Sequence, residues 1–172
     1  RLRHEELEVI VESLIDAWRR DAQVFICGNG GSAATASHFA CDLGKGTITP
    51  GLKRMRALSL SDAIPMMTAW GNDSDYSDIF AEQLTNLMNP GDLLIAISGS
   101  GNSPNVVAAI AAAHECDMRV VALTGRNGGK MGEMLGPDDV HICVPATSTA
   151  RIQEVHLLTL HCLCDGIDCL LL

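Results

Sequence analysis

A chain of 172 residues, 47% hydrophobic and 19% charged, fits one domain and can bury a sizeable core. Aromatic residues make up 3% and the formal net charge is −9, which argues against base-stacking platforms and against broad contact with a nucleic-acid backbone. The seven cysteines are odd in number, form no CxxC pair and sit mostly in or beside apolar runs, so they read as thiols of a reducing compartment, the cytoplasm.

The charged amino end carries no secretory signal, and the start at Arg1 leaves room for a natural start upstream. No apolar stretch is long enough for a membrane span. Residues 5–20 place Leu7, Ile10, Leu14 and Trp18 at helical spacing. Short apolar runs bounded by Gly, Pro, Asn or Asp predict strands at 24–27, 57–60, 92–98, 119–123 and 141–144. Helical stretches lie between them at 32–44, 62–70, 77–88 and 103–115, with a last helix over 151–170. Ser103 followed by Pro104 suits an N-cap with proline in the first turn. The alternation is that of a doubly wound α/β fold, a five-stranded parallel sheet flanked by helices, with ligands at the carboxyl ends of the strands. The last helix, with Leu157, Leu158, Leu160 and the terminal Leu170-Leu171-Leu172, is apolar nearly all round, which points to burial between neighbours or a helix-mediated homo-oligomer.

Two turns rich in glycine and serine, Gly28-Asn29-Gly30-Gly31-Ser32 and Ser98-Gly99-Ser100-Gly101-Asn102-Ser103, each link a predicted strand to a predicted helix. Such a turn directs backbone N–H groups outward at the positive end of a helix dipole, an arrangement that suits phosphate. Hydroxyls of Ser98, Ser100 and Ser103 add donors, and Arg54, Arg56, Arg126 and Lys130 are available as local cations. A phosphorylated small molecule is the expected ligand. His38 and Asp42, four residues apart on one helix face, suit a divalent metal, shared proton transfer or a simple hydrogen-bonded pair. In the last helix Gln153, Glu154, His156 and His161 need partners if buried, and a helical wheel alone sets Glu154 beside His161.

The strings CGNGGSAATASHFACDL, WGNDSDYSDIF, ISGSGNSPNVVAAI, LTGRNGGKM and ARIQEVHLLTLHCLCD resemble the sugar isomerase (SIS) domain family, and within it the phosphoheptose isomerase branch acting on sedoheptulose 7-phosphate. The resemblance covers nearly the whole chain and implies one SIS domain over 1–172. It implies a cytoplasmic homotetramer that interconverts a phosphorylated ketose and aldose through an enediol, a step in heptose synthesis. It also implies one zinc ion per subunit, held by His38, Asp42, Gln153 and His161, and so selects Gln153 over Glu154. Asp42 and His161 are then the proton-exchanging pair. Asn29, Gly30, Gly31 and Ser32, together with Asn72 and Asp73, face the sugar, while Ser98, Gly99, Ser100 and Ser103 hold the phosphate and Gln153 also contacts substrate.

This chain departs from that pattern at four places. Asp42 stands where the branch has glutamate, a carboxylate shorter in reach by about 1.5 Å. Gly46, beside Lys45, stands for an arginine, Gly99 for a common threonine and Ala150 for an acidic residue. A sister branch, the DnaA-initiator-associating proteins, is a tetrameric scaffold for the replication initiator and lacks the histidine found here as His161. Such an adaptor, or a phosphosugar sensor, is the alternative to an isomerase. No reading calls for direct nucleic-acid or membrane contact.

Overall fold

A computed structural model describes residues 4–171 and contains one sheet of five parallel strands in the order β2-β1-β3-β4-β5. The strands are β1 (Gln23–Gly28), β2 (Arg56–Ser59), β3 (Leu93–Ser98), β4 (Arg119–Gly125) and β5 (Val140–Val144). The helices are α1 (His4–Arg20), α2 (Gly31–Cys41), α3 (Ile64–Asp73), α4 (Ala81–Leu87), α5 (Pro104–Glu115), α6 (Gly129–Met134) and α7 (Thr149–Leu171). The side chains of Leu171 and Leu172 lie outside the described residues.

Side chains alternate across the pleat, so the central strands supply both halves of the core. Val24, Ile26, Ile95, Ile97, Val121 and Leu123 pack with α1, α2 and α7. Phe25, Cys27, Leu94, Ala96, Val120 and Ala122 face the opposite layer, which includes α4 and α5. Burying these central strands on both faces is what their unbroken apolar runs require.

Two helices deliver the chain into strands by the same device. At the end of α1, Asp21 adopts φ 62°, its N–H donates to the Trp18 carbonyl and that of Ala22 to the Ala17 carbonyl. After α5, Asp117 adopts φ 55°, and Met118 N–H returns to the Ala113 carbonyl. Both are Schellman endings with aspartate in the left-handed position that glycine usually takes.

The observed elements differ from the expected ones in three places, each with a local cause. The predicted helix over 32–44 ends its α-helical part at Cys41 and continues as a π turn, Asp42–Gly46, closed by Thr47 N–H on the Asp42 carbonyl. The stretch 77–88 becomes helical only from Ala81, because Asp75 accepts the Ser77 N–H at 2.8 Å and holds a turn there. Helix α6 was not expected, since Gly128, Gly129 and Gly132 mask its periodicity. Nor is α7 buried all round. It packs Leu160, Leu163 and Ile167 inward and leaves Leu158 and Leu170 exposed.

The strand order reverses between β1 and β3. From β1 the chain crosses to β2 on one side, and from β3 to β4 on the other, which opens a crevice at the carboxyl ends of β1 and β3. Both glycine- and serine-rich turns emerge there.

Candidate active site

The first turn leaves β1 at Gly28 and enters α2 at Gly31, and the second leaves β3 at Ser98 and enters α5 at Pro104. A reciprocal amide pair fastens them together. Asn29 Nδ2 donates to Asn105 Oδ1 at 2.8 Å, and Asn105 Nδ2 donates to Asn29 Oδ1 at 2.9 Å. Tyr76 adds a hydroxyl on Asn29 Oδ1 at 3.3 Å. The Asn29 side chain is therefore anchored within the protein while the residue stands at the wall of the cavity described below. Asn105, 1% exposed, is the partner that sequence reasoning missed.

The serine turn is folded on itself. Ser98 Oγ lies 2.9 Å from Ser103 Oγ and 3.4 Å from Ser100 Oγ. Asn102 ties the turn to the next strand–helix connection, accepting the Lys130 N–H at 3.0 Å. Gly101 must be glycine, with φ +67° and space for no Cβ, which would meet the Gly128 carbonyl oxygen at 1.9 Å. Ser103 occupies the N-cap position of α5 as expected, but its hydroxyl makes no cap bond to the helix and turns instead to Ser98.

Between the two turns lies a cavity of about 210 Å³. Ser98, Ser100 and Ser103 line it from the second turn, with Gly99 among them, and Asn29 and Ser32 line it from the first. Two further groups come from elsewhere: Thr149 at the start of α7 and Arg126 just after β4. Arg126 was one of four available cations in the sequence, and only the structure selects it. Thr149 was missed, though a hydroxyl ahead of an apolar helix is an N-terminal signal. No carboxylate lines the cavity, so its donors are neutral or positive.

Gln153 completes the lining. Its amide rests on the first turn of α2, where a Cβ on Gly31 would come within 2.4 Å of Gln153 Nε2. Glu154, the wheel's choice, points to solvent and pairs with Arg151 at 2.5 and 2.7 Å. His156 is buried, its Nε2 2.9 Å from the Thr124 carbonyl, and burial pushes its pKa below the ordinary imidazole range. That interaction seats α7 on the end of β4.

Two turns further along α2, a second cluster assembles from two helices. His38 Nε2 lies 3.2 Å from Asp42 Oδ2 and 3.3 Å from His161 Nε2, and His161 Nε2 lies 3.8 Å from the same carboxylate oxygen. The carboxylate reaches both rings even though Asp42 is one methylene shorter than glutamate. With two imidazole nitrogens face to face, at most one carries a proton between them, so the cluster offers bare nitrogen and carboxylate lone pairs. Tetrahedral zinc, with ligand bonds near 2.0–2.2 Å, separates its ligand atoms by about 3.3–3.6 Å. The donor set and spacing fit such an ion. Gln153, beside Gly31, is not brought into this trio by any contact, and its firm placement is in the cavity. The π turn that begins at Asp42 is the kind of helix irregularity often found at functional sites.

Asn72 and Asp73 end α3, exposed and bonded to one another at 2.6 Å, and do not line the cavity. A larger cavity, about 610 Å³, lies at the opposite end of the strands, around His114 and Asp139. There Asp139 is fully engaged by the Val120 and Gly136 amides and by His114 at 2.9 Å, a structural arrangement at the amino ends of β4 and β5.

Comparison with known proteins gives the same picture. The family described as "SIS domain" matches residues 1–125. A phosphoheptose isomerase of Azoarcus sp. (strain BH72) is 55% identical over 94% of this chain and 82% of its own length. One from Aromatoleum aromaticum is 51% identical over 100% of this chain and 90% of that protein. The structure of a phosphoheptose isomerase from Neisseria gonorrhoeae superposes with a TM-score of 0.90 at 43% identity, covering 96% of this chain and 86% of the other.

Proposed function

The chain belongs to the SIS domain family, and from that premise we propose that it is a phosphoheptose isomerase, converting sedoheptulose 7-phosphate to heptose 7-phosphate. We read all of 1–172 as one such domain. The observation that carries the proposal is the pairing of two sites along α2: a carboxylate-free cavity at its amino end and the His38–Asp42–His161 cluster about two turns on. Two turns of helix rise about 11 Å, close to the reach of an extended seven-carbon chain with its terminal phosphate.

In this reading Ser98, Ser100, Ser103 and the backbone N–H groups of the serine turn hold the phosphate, with Thr149 beside them. Ser32 and Gln153 face the middle of the sugar, and Gly30 and Gly31 let the chain approach closely. The reacting end lies at Asp42 and His161. One of this pair takes the proton from C1 as the C2 oxygen gains one, leaving an enediol. A proton is then returned to C2 while the C1 oxygen gives up its own, and the aldose results. His38, bonded to both, holds the pair in register. His38, Asp42 and His161 are the proposed zinc ligands, and Gln153, the fourth ligand the family resemblance implies, stands in the cavity lining on the same helix as His161. Bound there, the ion supplies polarisation of the carbonyl and stabilisation of the enediolate oxygen.

We also propose a homotetramer. Helix α3 has no buried residue although Ile64 is 66% exposed and Met66 43%, and Leu158 and Leu170 stand open on α7. Covering those surfaces with further subunits is the simplest use for them, and Asn72 and Asp73 at the end of α3 would then reach a neighbouring site. All seven cysteines are free thiols, which supports a cytoplasmic location. None of the described helices is long and apolar enough to cross a membrane.

The test is NMR of sedoheptulose 7-phosphate incubated with the protein and zinc in deuterated water. Heptose 7-phosphate carrying deuterium at C2, and none with His161→Ala of unchanged far-UV spectrum, is the expected result. Binding without turnover in the parent protein overturns the isomerase reading in favour of a phosphosugar-binding adaptor or sensor.

A further inference from the structure

The cavity at the switch point is lined almost wholly by neutral groups, and its single charged side chain is Arg126. Several other cations are already engaged: Arg56 on the Asp21 carbonyl at 2.8 Å, Arg20 on Asp16, Arg151 on Glu154 and Arg119 on Ser13. Of the four cations named from the sequence, Arg126 is the one that lines the cavity. The Arg126 guanidinium has no protein partner among the described residues. Its backbone, by contrast, is tightly held. Arg126 adopts φ 59°, a left-handed conformation that a long side chain rarely takes. Its N–H donates to the Val144 carbonyl at 3.0 Å, and its own carbonyl receives the Cys143 thiol at 3.7 Å. Both anchors lie on β5, so the left-handed residue is pinned between the ends of β4 and β5, exposed and at the wall of the cavity. Residues held in sparsely populated backbone conformations cluster at active sites and ligand clamps.

We propose that Arg126 reads the charge of the substrate: its guanidinium pairs with the phosphate monoester dianion held by the serine turn, and so sets the preference for phosphorylated over neutral sugars. This rests on the assignment of the cavity to the substrate phosphate. Neutral hydroxyl donors bind a sugar hydroxyl and a phosphate oxygen alike, whereas a guanidinium fork matches two phosphate oxygens and adds charge. The chain's net charge of −9 makes the need greater, because the overall field repels a dianion. Arg126 is distant from the reacting carbons, so its pairing with phosphate is the same before and during reaction and acts on KM.

Arg126→Met keeps length and removes charge, and Arg126→Lys keeps charge and removes the fork. Binding of inorganic phosphate is measured by calorimetry, and KM and kcat for sedoheptulose 7-phosphate are measured beside it. Arg126→Met is expected to weaken phosphate binding and raise KM by roughly 10- to 100-fold, with kcat within about threefold of the parent. Arg126→Lys should recover part of the loss. Inorganic phosphate should compete with the sugar phosphate in the parent protein, and below pH about 6, where the monoester dianion takes up a proton, KM for the sugar phosphate should rise more in the parent than in Arg126→Met. Unchanged phosphate affinity and KM in Arg126→Met overturn the proposal. Loss of phosphate binding in the variant supports it even if the parent turns over no heptose phosphate, an outcome that would overturn the isomerase reading alone.

Discussion

Lowering the pH should loosen this fold through His156, and the size of the effect follows from its surroundings. The ring is 1% exposed, and its Nε2 faces the Thr124 carbonyl at 2.9 Å. A carbonyl can only accept, so Nε2 carries the proton, while Nδ1 is bare, buried and without a partner. Burial lowers the pKa of this group from the ordinary value of 6.5. The native state therefore binds fewer protons than the unfolded chain once the pH drops below about 6.5, and stability falls as the pH descends toward the lowered native value. The steepest loss from this one group is about 1.4 kcal/mol per pH unit, and well above pH 6.5 it contributes no pH dependence. His156→Phe removes the titration but strands the Thr124 carbonyl, a cost of about 1–3 kcal/mol. Urea unfolding of parent and variant, at one protein concentration and at pH 8, 7, 6 and 5.5, separates the two effects. The parent should lead at pH 8, and the gap should narrow below pH 6.5. A gap that stays constant across the range would refute the reasoning.

Two further outcomes are expected. Gly101→Ala should cost at least about 2 kcal/mol in denaturant unfolding, because its Cβ would lie 1.9 Å from the Gly128 carbonyl oxygen at a φ of +67°; a change below about 0.5 kcal/mol would show that the serine turn yields freely. Burial pushes the thiols of Cys27 and Cys164 up to about 12, so iodoacetamide at pH 8 should leave both unmodified in the native protein, while exposed Cys41 is alkylated. Peptide mass analysis would refute this by finding Cys27 labelled as fast as Cys41.

Much of the architecture was legible because the strands are short apolar runs with sharp polar boundaries. Asp92, just ahead of β3, illustrates this: its carboxylate takes the Gln23 and Asn89 amides, each at 2.8 Å. Residues 129–134 were illegible because glycines erase a helical pattern. In the site, His38 and Asp42 could be read together because four residues bring side chains to one helix face. His161 could not be joined to them by spacing, since the contact crosses 123 positions and depends on how α7 packs on α2. The wheel preferred Glu154 for a related reason: it records angles on one helix and nothing of the neighbour, while in the fold Arg151 holds Glu154 in solvent and Gly31 makes room for Gln153. Arg126 and Asn105 fall within the motif strings, but nothing in the spacing there shows that one meets the cavity and the other pairs with Asn29.

The amide pair between Asn29 and Asn105 bears on how long the protein keeps its chemical identity. Asn29 is followed by Gly30, the pairing in which the next backbone nitrogen most readily attacks the side-chain amide and releases ammonia. In the fold both amide atoms of Asn29 are tethered to Asn105, so the carbonyl carbon cannot swing into that attack. Were the conversion to occur, a carboxylate would appear opposite Asn105 and at the rim of an anion cavity, breaking the bond from Asn29 Nδ2 and repelling the phosphate together. The bond that sets the spacing of the two turns is thus also what preserves the uncharged asparagine on which the cavity depends, and ageing of this position becomes a clock that runs only when the chain unfolds.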